Sequence, residues 1–271
     1  MIYLLTLLLC LLLPVQSWAA VAFVNNGAAA GQVSTVSLAF PASITAGNLL
    51  VVCVGNKYPT NGPALPTDAY GGTWVAPSNN QGSGDPGDGP GVDVGAVYGT
   101  VFYKVATGSE TGNLSVVATG SNSIYGFIAQ YTNATGVWDL AAANGGDASS
   151  GTAWSATMGT DPGIVGSDIV VACSGKNNDA ASATVEALAQ TGVTFGAMTE
   201  RLDNGTSQGD DSGAVFSEHP VTSITTPSGS VVYTMTTAAN TAGGTTILRL
   251  RESAASTVLQ SPSGYLGGII K

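Results

Sequence analysis

The sequence predicts an all-β protein, an antiparallel jelly-roll-like β-sandwich built from two pseudo-repeated halves. Residues 48–56, NLLVVCVGN, return as residues 168–176, DIVVACSGK, and this aligns Cys53 with Cys173 at an offset of 173 − 53 = 120 residues. Further pairs follow in the same order, GTVF with GAVF at 99–102 and 213–216 and SVVATGSN with SVVYTMTT at 115–122 and 230–237. Charged residues make up only 9% of the chain, against a usual share of about 25%. Such a composition is typical of sheets with small-residue turns and disfavours helical bundles.

Runs of alternating or β-branched residues, bounded by Gly, Pro, Asn and Ser, predict the strands. In the first half they cover residues 21–24, 33–40, 49–54, 73–75, 100–106, 114–119 and 125–131. In the second half they cover residues 153–158, 168–174, 183–187, 199–202, 214–218, 230–236 and 245–251. The only helix candidate is short, at residues 184–190. Six or seven strands in each half predict an antiparallel sandwich.

The chain divides into a leader at residues 1–20, a duplicated sandwich at 21–252 and a tail at 253–271. The halves of the sandwich extend over about 21–140 and 150–252, and residues 132–151 connect them. Two arrangements fit: separate Ig-like domains, or one interleaved sandwich. We favour the interleaved form because each half has few large apolar residues for a core of its own.

The first residues predict a secretory signal peptide and therefore a secreted or cell-surface protein. Residues 2–13 are almost wholly apolar, and Ser17 and Ala19 give the small-residue cleavage pattern near Ala20. The run is too short for a standard membrane span. An uncleaved anchor is the alternative.

Cys53 and Cys173 occupy equivalent places on equivalent strands. The interpretation that we favour is two buried free thiols, because Cys is among the most buried residue types. A disulfide between the halves is the other, and the export signal favours it. The two cysteines and the single histidine have no metal-ligand spacing.

The net charge of −10 with seven basic residues makes nucleic acid an unlikely partner, and we expect no membrane contact beyond the signal segment. The apolar end of the tail, residues 265–270, is a candidate for assembly contacts by strand addition.

Several motifs resemble a broad group of β-sandwich proteins from bacteria and tailed phages. The similar stretches are SLAFPASITAGNLLVV at 37–52, GGTWV at 71–75, VFYKVATGSE at 101–110, AQYTNATGVWD at 129–139 and AMTERLD at 197–203. The resemblance covers about residues 35–250 and contains no catalytic motif. It implies a structural or adhesive role at a cell surface or in a phage particle, and it transfers no site residue.

Two sets of side chains are candidates for ligand binding. The aromatic residues of the long first loop and the connection between the halves are candidates for stacking on sugar rings: Tyr58, Tyr70, Trp74 and Trp138. The acidic residues of two Gly-rich loops are candidate oxygen ligands for Ca²⁺: Asp85, Asp88 and Asp93 in the first loop, and Asp203, Asp210 and Asp211 in the second. No other cofactor is expected.

Catalysis is the weakest interpretation. A glycosidase or lyase needs two carboxylates facing each other across a cleft. Glu200 and Glu218 lie in or beside strands of one half, and they are the candidate pair. His219, beside Pro220 at a strand end, is expected at the surface.

We therefore expect an exported, non-enzymatic structural or adhesive protein. Its partners would be itself or other structural and envelope proteins. A carbohydrate-binding module, assisted by Ca²⁺, is the alternative.

Overall fold

The computed structural model of the protein describes residues 20–57, 62–84, 95–180 and 182–253. Strands joined by loops make up these parts of the chain. These parts of the chain contain no helix, so the all-β prediction is confirmed. The strands are β1 (Ala22–Asn26), β2 (Ala30–Gln32), β3 (Thr35–Ala39), β4 (Leu49–Lys57), β5 (Gln81–Gly84), β6 (Val97–Val105), β7 (Asn113–Val117), β8 (Ser123–Thr132), β9 (Trp138–Thr157), β10 (Ile169–Lys176), β11 (Ala183–Phe195), β12 (Thr199–Thr206) and β13 (Ser212–Glu252).

The first part of the chain builds two sheets. The first inner sheet has the order β1-β8-β4-β6-β5, and β2 adds to β8. Its centre is β4, where Cys53 lies opposite Val101 on one side and Phe127 on the other. The first outer sheet is the pair β3-β7, with Val36 opposite Val116.

The second part of the chain is organised around β10. Ile169 lies opposite both Pro220 and Leu250, while Lys176 lies opposite both Gly213 and Gly243. As the residue numbers rise along β10, the numbers of the paired residues in β13 fall. Both arms of β13, residues 213–220 and 243–250, are therefore antiparallel to β10. β12 pairs with the first arm, and residues 138–147 of β9 pair with the second, which completes the second inner sheet.

The second outer sheet is made from the remainder of the same long strands. Residues 153–157 of β9 pair with residues 232–236 of β13, which pair on their other side with β11. The register places Trp154 opposite Met235 and Leu188 opposite Tyr233.

The sheets stack with three apolar cores between them. β4 is buried along its whole length because it is covered on both faces, which explains its continuous apolar run. Leu49, Val51 and Cys53 enter the central core between the two inner sheets. Leu50, Val52 and Val54 enter the first outer core against β3 and β7. The second outer core fills the space between the second inner and outer sheets.

A disulfide joins the two inner sheets at the centre of the molecule. It links Cys53 on β4 to Cys173 on β10 with an S–S distance of 2.03 Å, and both cysteines are fully buried. The structure therefore contains the bonded form, and the favoured interpretation of two free thiols was wrong.

The inner sheets approach most closely where both carry glycine. A Cβ added to Gly99 would lie 2.2 Å from the carbonyl oxygen of Gly244, and one added to Gly55 would lie 2.1 Å from that of Gly213. Elsewhere in the central core the sheets are separated by rings, and the centroids of Phe127 and Phe216 are 5.1 Å apart. The glycines therefore set the separation of the sheets near the disulfide.

The predicted strand at 183–187 is part of β11, which also contains the short helix candidate at 184–190. Two other local predictions were wrong. Residues 73–75 form only an isolated bridge between Val75 and Tyr103. Much of the predicted connection at 132–151 is the first part of β9. The leader lies outside the described residues, and so does the tail beyond Ser253.

Candidate functional site

A groove between β6 and β9 is a concave feature that both halves of the chain build. Two adjoining hollows, of about 530 and 590 Å³, share Tyr103 and Leu140 as lining residues. Val75, held to Tyr103 by a two-way backbone bridge, forms part of one wall. Because β6 and β9 belong to different inner sheets, the groove exists only when the two halves pack together.

One end of the groove is apolar. It is lined mainly by Tyr103, Val105, Val137, Trp138 and Leu140. Val105 is 42% exposed and Val137 is 56% exposed, and the two lie side by side at this end of the groove. The indole Nε1 of Trp138 donates a hydrogen bond to the carbonyl oxygen of Gly47 at 3.0 Å, and this contact fixes the ring at the edge of the groove.

The other end is polar. Asn79 Nδ2 lies 3.3 Å from Thr160 Oγ1 and donates to it across the groove. Asp161 Oδ1 accepts a hydrogen bond from the backbone N–H of Gly163 at 2.8 Å, so its own loop holds it in place. No Lys or Arg is among the residues that line either hollow. This end therefore suits a neutral or cationic group better than an anion.

The predicted aromatic residues do not form one cluster. Trp74 is only 3% exposed, belongs to the first outer core, and donates from Nε1 to Asp68 at 2.7 Å. The hydroxyl of Tyr70 donates to the carbonyl oxygen of Thr111 at 2.6 Å, and its ring packs edge-on against Phe40. Tyr58 lies outside the described residues. Of the three that the structure describes, only Trp138 lines the groove.

Tyr103 is the groove residue that the sequence did not single out. Its position in the stretch VFYKVA marks it as a strand residue, and its role depends on a strand 35 residues further along the chain (138 − 103 = 35). Burial raises the pKa of its hydroxyl, so Tyr103 stays protonated and can donate a hydrogen bond.

The first outer core contains a compensated charge cluster. Lys104 Nζ lies 2.8 Å from Asp68 and 3.1 Å from Glu110, with all three side chains nearly or fully buried. Burial alone would raise the pKa of Glu110, but backbone N–H groups at 107–110 and Lys104 outweigh it and lower the pKa to about 2. The pKa of Asp68 is also lowered, by hydrogen bonds from Lys104, Tyr70 and Trp74 that outweigh its burial. The cluster holds the loop at Asp68 against the sheet.

The second outer core contains a polar cluster in which the pKa of a buried carboxyl is raised instead of lowered. Glu186 on β11 is 5% exposed and accepts a hydrogen bond from the hydroxyl of Tyr233 at 2.9 Å. Burial, with a smaller contribution from the neighbouring carboxyl of Glu200, raises the pKa of Glu186 to about 7 against the hydrogen bonds of Ser217 and Tyr233, which lower it. Glu186 is therefore about half protonated near neutral pH.

His219 is buried, so the expectation that it lies at the surface was wrong. It is 1% exposed, its Nε2 lies 3.0 Å from Ser217 Oγ, and its ring packs edge-on against Phe195 and Tyr233. Burial lowers its pKa to about 4. The imidazole is neutral at physiological pH and is enclosed by the core.

Glu200 and Glu218 do not face each other. In the β12–β13 register Glu200 lies opposite Ser217 and Thr199 opposite Glu218, which places the two carboxylates on opposite faces of the sheet. Glu218 points to the central core, where it accepts a hydrogen bond from Tyr131 at 2.6 Å and pairs with Arg201 at 2.7 Å. Glu200 lies on the other face, beside Glu186. The two-carboxylate cleft required for glycoside hydrolysis is thus not formed by this pair.

The acidic residues of the second loop make bonds within the protein. Asp203 pairs with Lys176 at 2.5 Å and accepts the N–H of Ala183 at 2.6 Å. Asp210 accepts a hydrogen bond from Asn122 Nδ2 at 2.8 Å, and Asp211 has a positive φ of 60°. Residues 20–57, 62–84, 95–180 and 182–253 contain no group of three or more His, Cys, Asp or Glu side chains placed to hold a metal. Asp85, Asp88 and Asp93 lie outside these ranges.

Each basic side chain that the structure describes is held by the protein itself. Lys57 Nζ donates to the carbonyl oxygens of Asn177, at 3.1 Å, and of Asp210. The guanidinium of Arg201, besides pairing with Glu218, lies 3.9 Å from the ring centroid of Phe23 on the other half. Arg249 pairs with Asp139, and Arg251 pairs with Asp139 and Asp168. Together with Lys104 and Lys176, these residues leave no described cation dedicated to an external ligand.

Comparisons with known proteins find no family model, no curated protein and no solved structure that matches the chain. Over the described ranges, no helix has the length and apolarity needed to cross a membrane.

Proposed function

We propose that this chain is an exported, non-catalytic structural or adhesive protein that acts through surface contacts. The observation that carries the proposal is the use of its charged side chains. Basic groups are scarce, and Lys57, Lys104, Lys176, Arg201, Arg249 and Arg251 are all engaged in bonds that hold strands and loops together. Catalytic sites generally need titratable groups that face a cleft, whereas here the described basic groups reinforce the fold.

We further propose that the fold is a duplicated, jelly-roll-like sandwich. The support is the matching neighbourhood of β4 and β10. β4 lies between β6 and β8, and β10 lies between the corresponding arms of β13 at 213–220 and 243–250. The strands beyond these, β5 and β1 in one sheet and β12 and β9 in the other, also correspond in order.

The junction of the two halves suits a load-bearing part. The central core, the disulfide and the contact of Arg201 with Phe23 all connect one half to the other. Lys57 adds a polar connection, from the end of β4 to the carbonyl groups of Asn177 and Asp210. Two sandwiches joined in this way move as one block.

The test is the particle state of the protein recovered from the medium or the cell surface. Size-exclusion chromatography with light scattering, followed by negative-stain microscopy, should reveal ordered oligomers, filaments or particle-bound copies. A protein that is monomeric at every concentration, and that binds neither envelope nor particle fractions, would contradict the proposal. N-terminal sequencing of the same sample should find cleavage near Ala20, whereas an intact leader would contradict cleavage.

Carbohydrate binding is the second candidate, and the placement of Trp138 and Tyr103 in one groove favours it. Aromatic rings beside amide and hydroxyl groups, such as those of Asn79 and Thr160, suit a neutral sugar. A glycan array should give hits that Trp138→Ala abolishes and that Trp74→Phe, a change in the buried core, leaves in place. Comparison of arrays with Ca²⁺ and with a chelator tests metal assistance. An array without hits in both conditions would exclude this candidate for the glycans displayed.

A further inference from the structure

We propose that the apolar end of the groove is the docking site for a segment of the same chain, residues 265–270, YLGGII. This inference goes beyond the proposed function, because it concerns a contact within one molecule. It rests on where the described chain leaves the sandwich, on the surface next to that point, and on the composition of the residues that follow.

The chain reaches the groove before it enters the tail. Ser253 lines the apolar hollow, and its backbone N–H donates to the carbonyl oxygen of Val137 at 3.0 Å. Residues 254–264, AASTVLQSPSG, then separate Ser253 from Tyr265. A spacer of eleven residues spans at most about 35–40 Å when extended, which is enough to turn around the end of β9 and enter the groove. Such a short connection gives a local concentration in the millimolar range.

The surface at this point offers both apolar contacts and a free strand edge. Val105 and Val137 are exposed there, and Trp138 and Tyr103 provide ring surface beside them. Residues 138–142 of β9 pair with β13 on one side, and no strand that the structure describes pairs with them on the other. An extended segment laid along this edge would gain backbone hydrogen bonds and bury alternate side chains.

The segment 265–270 matches that surface. Tyr265, Leu266, Ile269 and Ile270 supply large apolar side chains, while Gly267 and Gly268 allow close backbone approach. The only charged side chain after Ser253 is that of Lys271. The groove contributes Asp139, whose side chain keeps 43% of its exposure despite its contacts with Arg249 and Arg251. Asp139 is already paired with these two arginines, so the apolar side chains and the two glycines carry the match.

The experiment compares the secreted full-length protein with a version that stops after Ser253, by hydrogen exchange and mass spectrometry. Both are measured at a concentration where light scattering shows monomers. We expect the amides of residues 138–142 to exchange about tenfold more slowly in the full-length protein, because their outer edge is covered. The amides of residues 183–187, which lie in the second outer sheet and do not line the groove, should exchange equally in both and serve as the internal control.

Two variants test the identity of the segment. Leu266→Asp should raise exchange at residues 138–142 to the rate of the shortened protein, while Thr257→Asp, in the spacer, should leave the protection intact. Equal exchange in the full-length and shortened proteins would overturn the proposal. Protection that appears only with dimers would also overturn it, since the occupant would then be the tail of a second copy. Assembly is measured separately by particle state, so failure of one proposal does not decide the other.

Discussion

At the scale of single residues, the second outer core contains two groups whose pKa shifts act in opposite directions on stability. The pKa of Glu186 rises from its ordinary value of 4.5 to about 7, so the unfolded chain ionises this group before the folded one does. Its contribution to the free energy of unfolding therefore falls as pH rises from 4.5 to 7. The pKa of His219 is lowered from 6.5 to about 4, so its contribution falls as pH drops from 6.5 to 4.

Glu186→Gln should therefore stabilise the protein above pH 7 and have little effect below pH 4.5. The gain should grow with pH across that window to about 1–3 kcal/mol, since one pKa unit corresponds to about 1.4 kcal/mol. Urea unfolding of the variant and the parent protein at several pH values measures the difference. Asp161→Asn, at the exposed polar end of the groove, is the control. A difference that does not change with pH would contradict the assignment.

His219→Gln should give the opposite slope. Its stability relative to the parent should improve as pH falls from 6.5 to 4, whatever constant loss the altered packing adds, because the variant removes a base that folds in its neutral form. The same urea titration measures it. An unchanged offset across this range would show that the imidazole is not held neutral by burial.

At the scale of strands and sheets, the separation of the two inner sheets near the disulfide depends on glycine. Gly99→Ala would place a Cβ 2.2 Å from the Gly244 carbonyl oxygen and 2.6 Å from that of Cys173. Both obstacles are backbone atoms in paired strands, so the sheets themselves would have to move. We expect a loss of about 1–3 kcal/mol, measured as a lower midpoint in thermal or urea unfolding.

Gly166→Ala is the matched control, because a Cβ at Gly166 meets no atom within 4 Å. It should be neutral or slightly stabilising, since alanine reduces the freedom of the unfolded chain. Equal losses in the two variants would show that close sheet contact is not the cause.

Many of the strands could be predicted from the sequence. The buried run of β4 and its counterpart β10 are visible as repeated apolar stretches with a shared Cys and Gly. The beginning of β9 was missed because its residues AAANGGD are small and lack branched side chains. The helix candidate at 184–190 contains good helix formers, but pairing of β11 with β13 overrides that local preference.

The candidate site was less accessible to prediction. Trp138 was noticed as an aromatic residue near the connection between the halves, but the groove also requires Tyr103 from another sheet. The buried positions of His219 and Trp74 depend on partners such as Phe195 and Asp68 that no local pattern names. Contacts of this kind follow from how the sheets stack, which sequence periodicity does not specify.

At the scale of the whole molecule, the disulfide is a covalent cross-link between the two halves, in addition to the backbone that connects them. Replacing both Cys53 and Cys173 with alanine should cost about 2–5 kcal/mol, because the unfolded chain loses a closed loop with a sequence separation of 120 residues. Urea unfolding of the double variant and the parent measures the loss. Equal stability would contradict it.

Accessibility of the bond gives a companion measurement. Both cysteines are fully buried, so a reductant should leave the native protein oxidised and act only when denaturant opens the central core. Alkylation with mass detection, with and without urea, follows the reaction. Rapid reduction without denaturant would contradict the burial.

The position of the same bond also limits how far the molecule can lengthen under tension. If force is applied on either side of the bridge, the segment between Cys53 and Cys173 cannot extend while the bond is intact. At about 3.3–3.6 Å per residue, this removes roughly 400 Å from the contour length available to the pulled chain. Only the parts of the chain before β4 and after β10 can unfold and extend under force. The bond would keep β4 and β10 joined, and the chain would refold from that point when the force is removed.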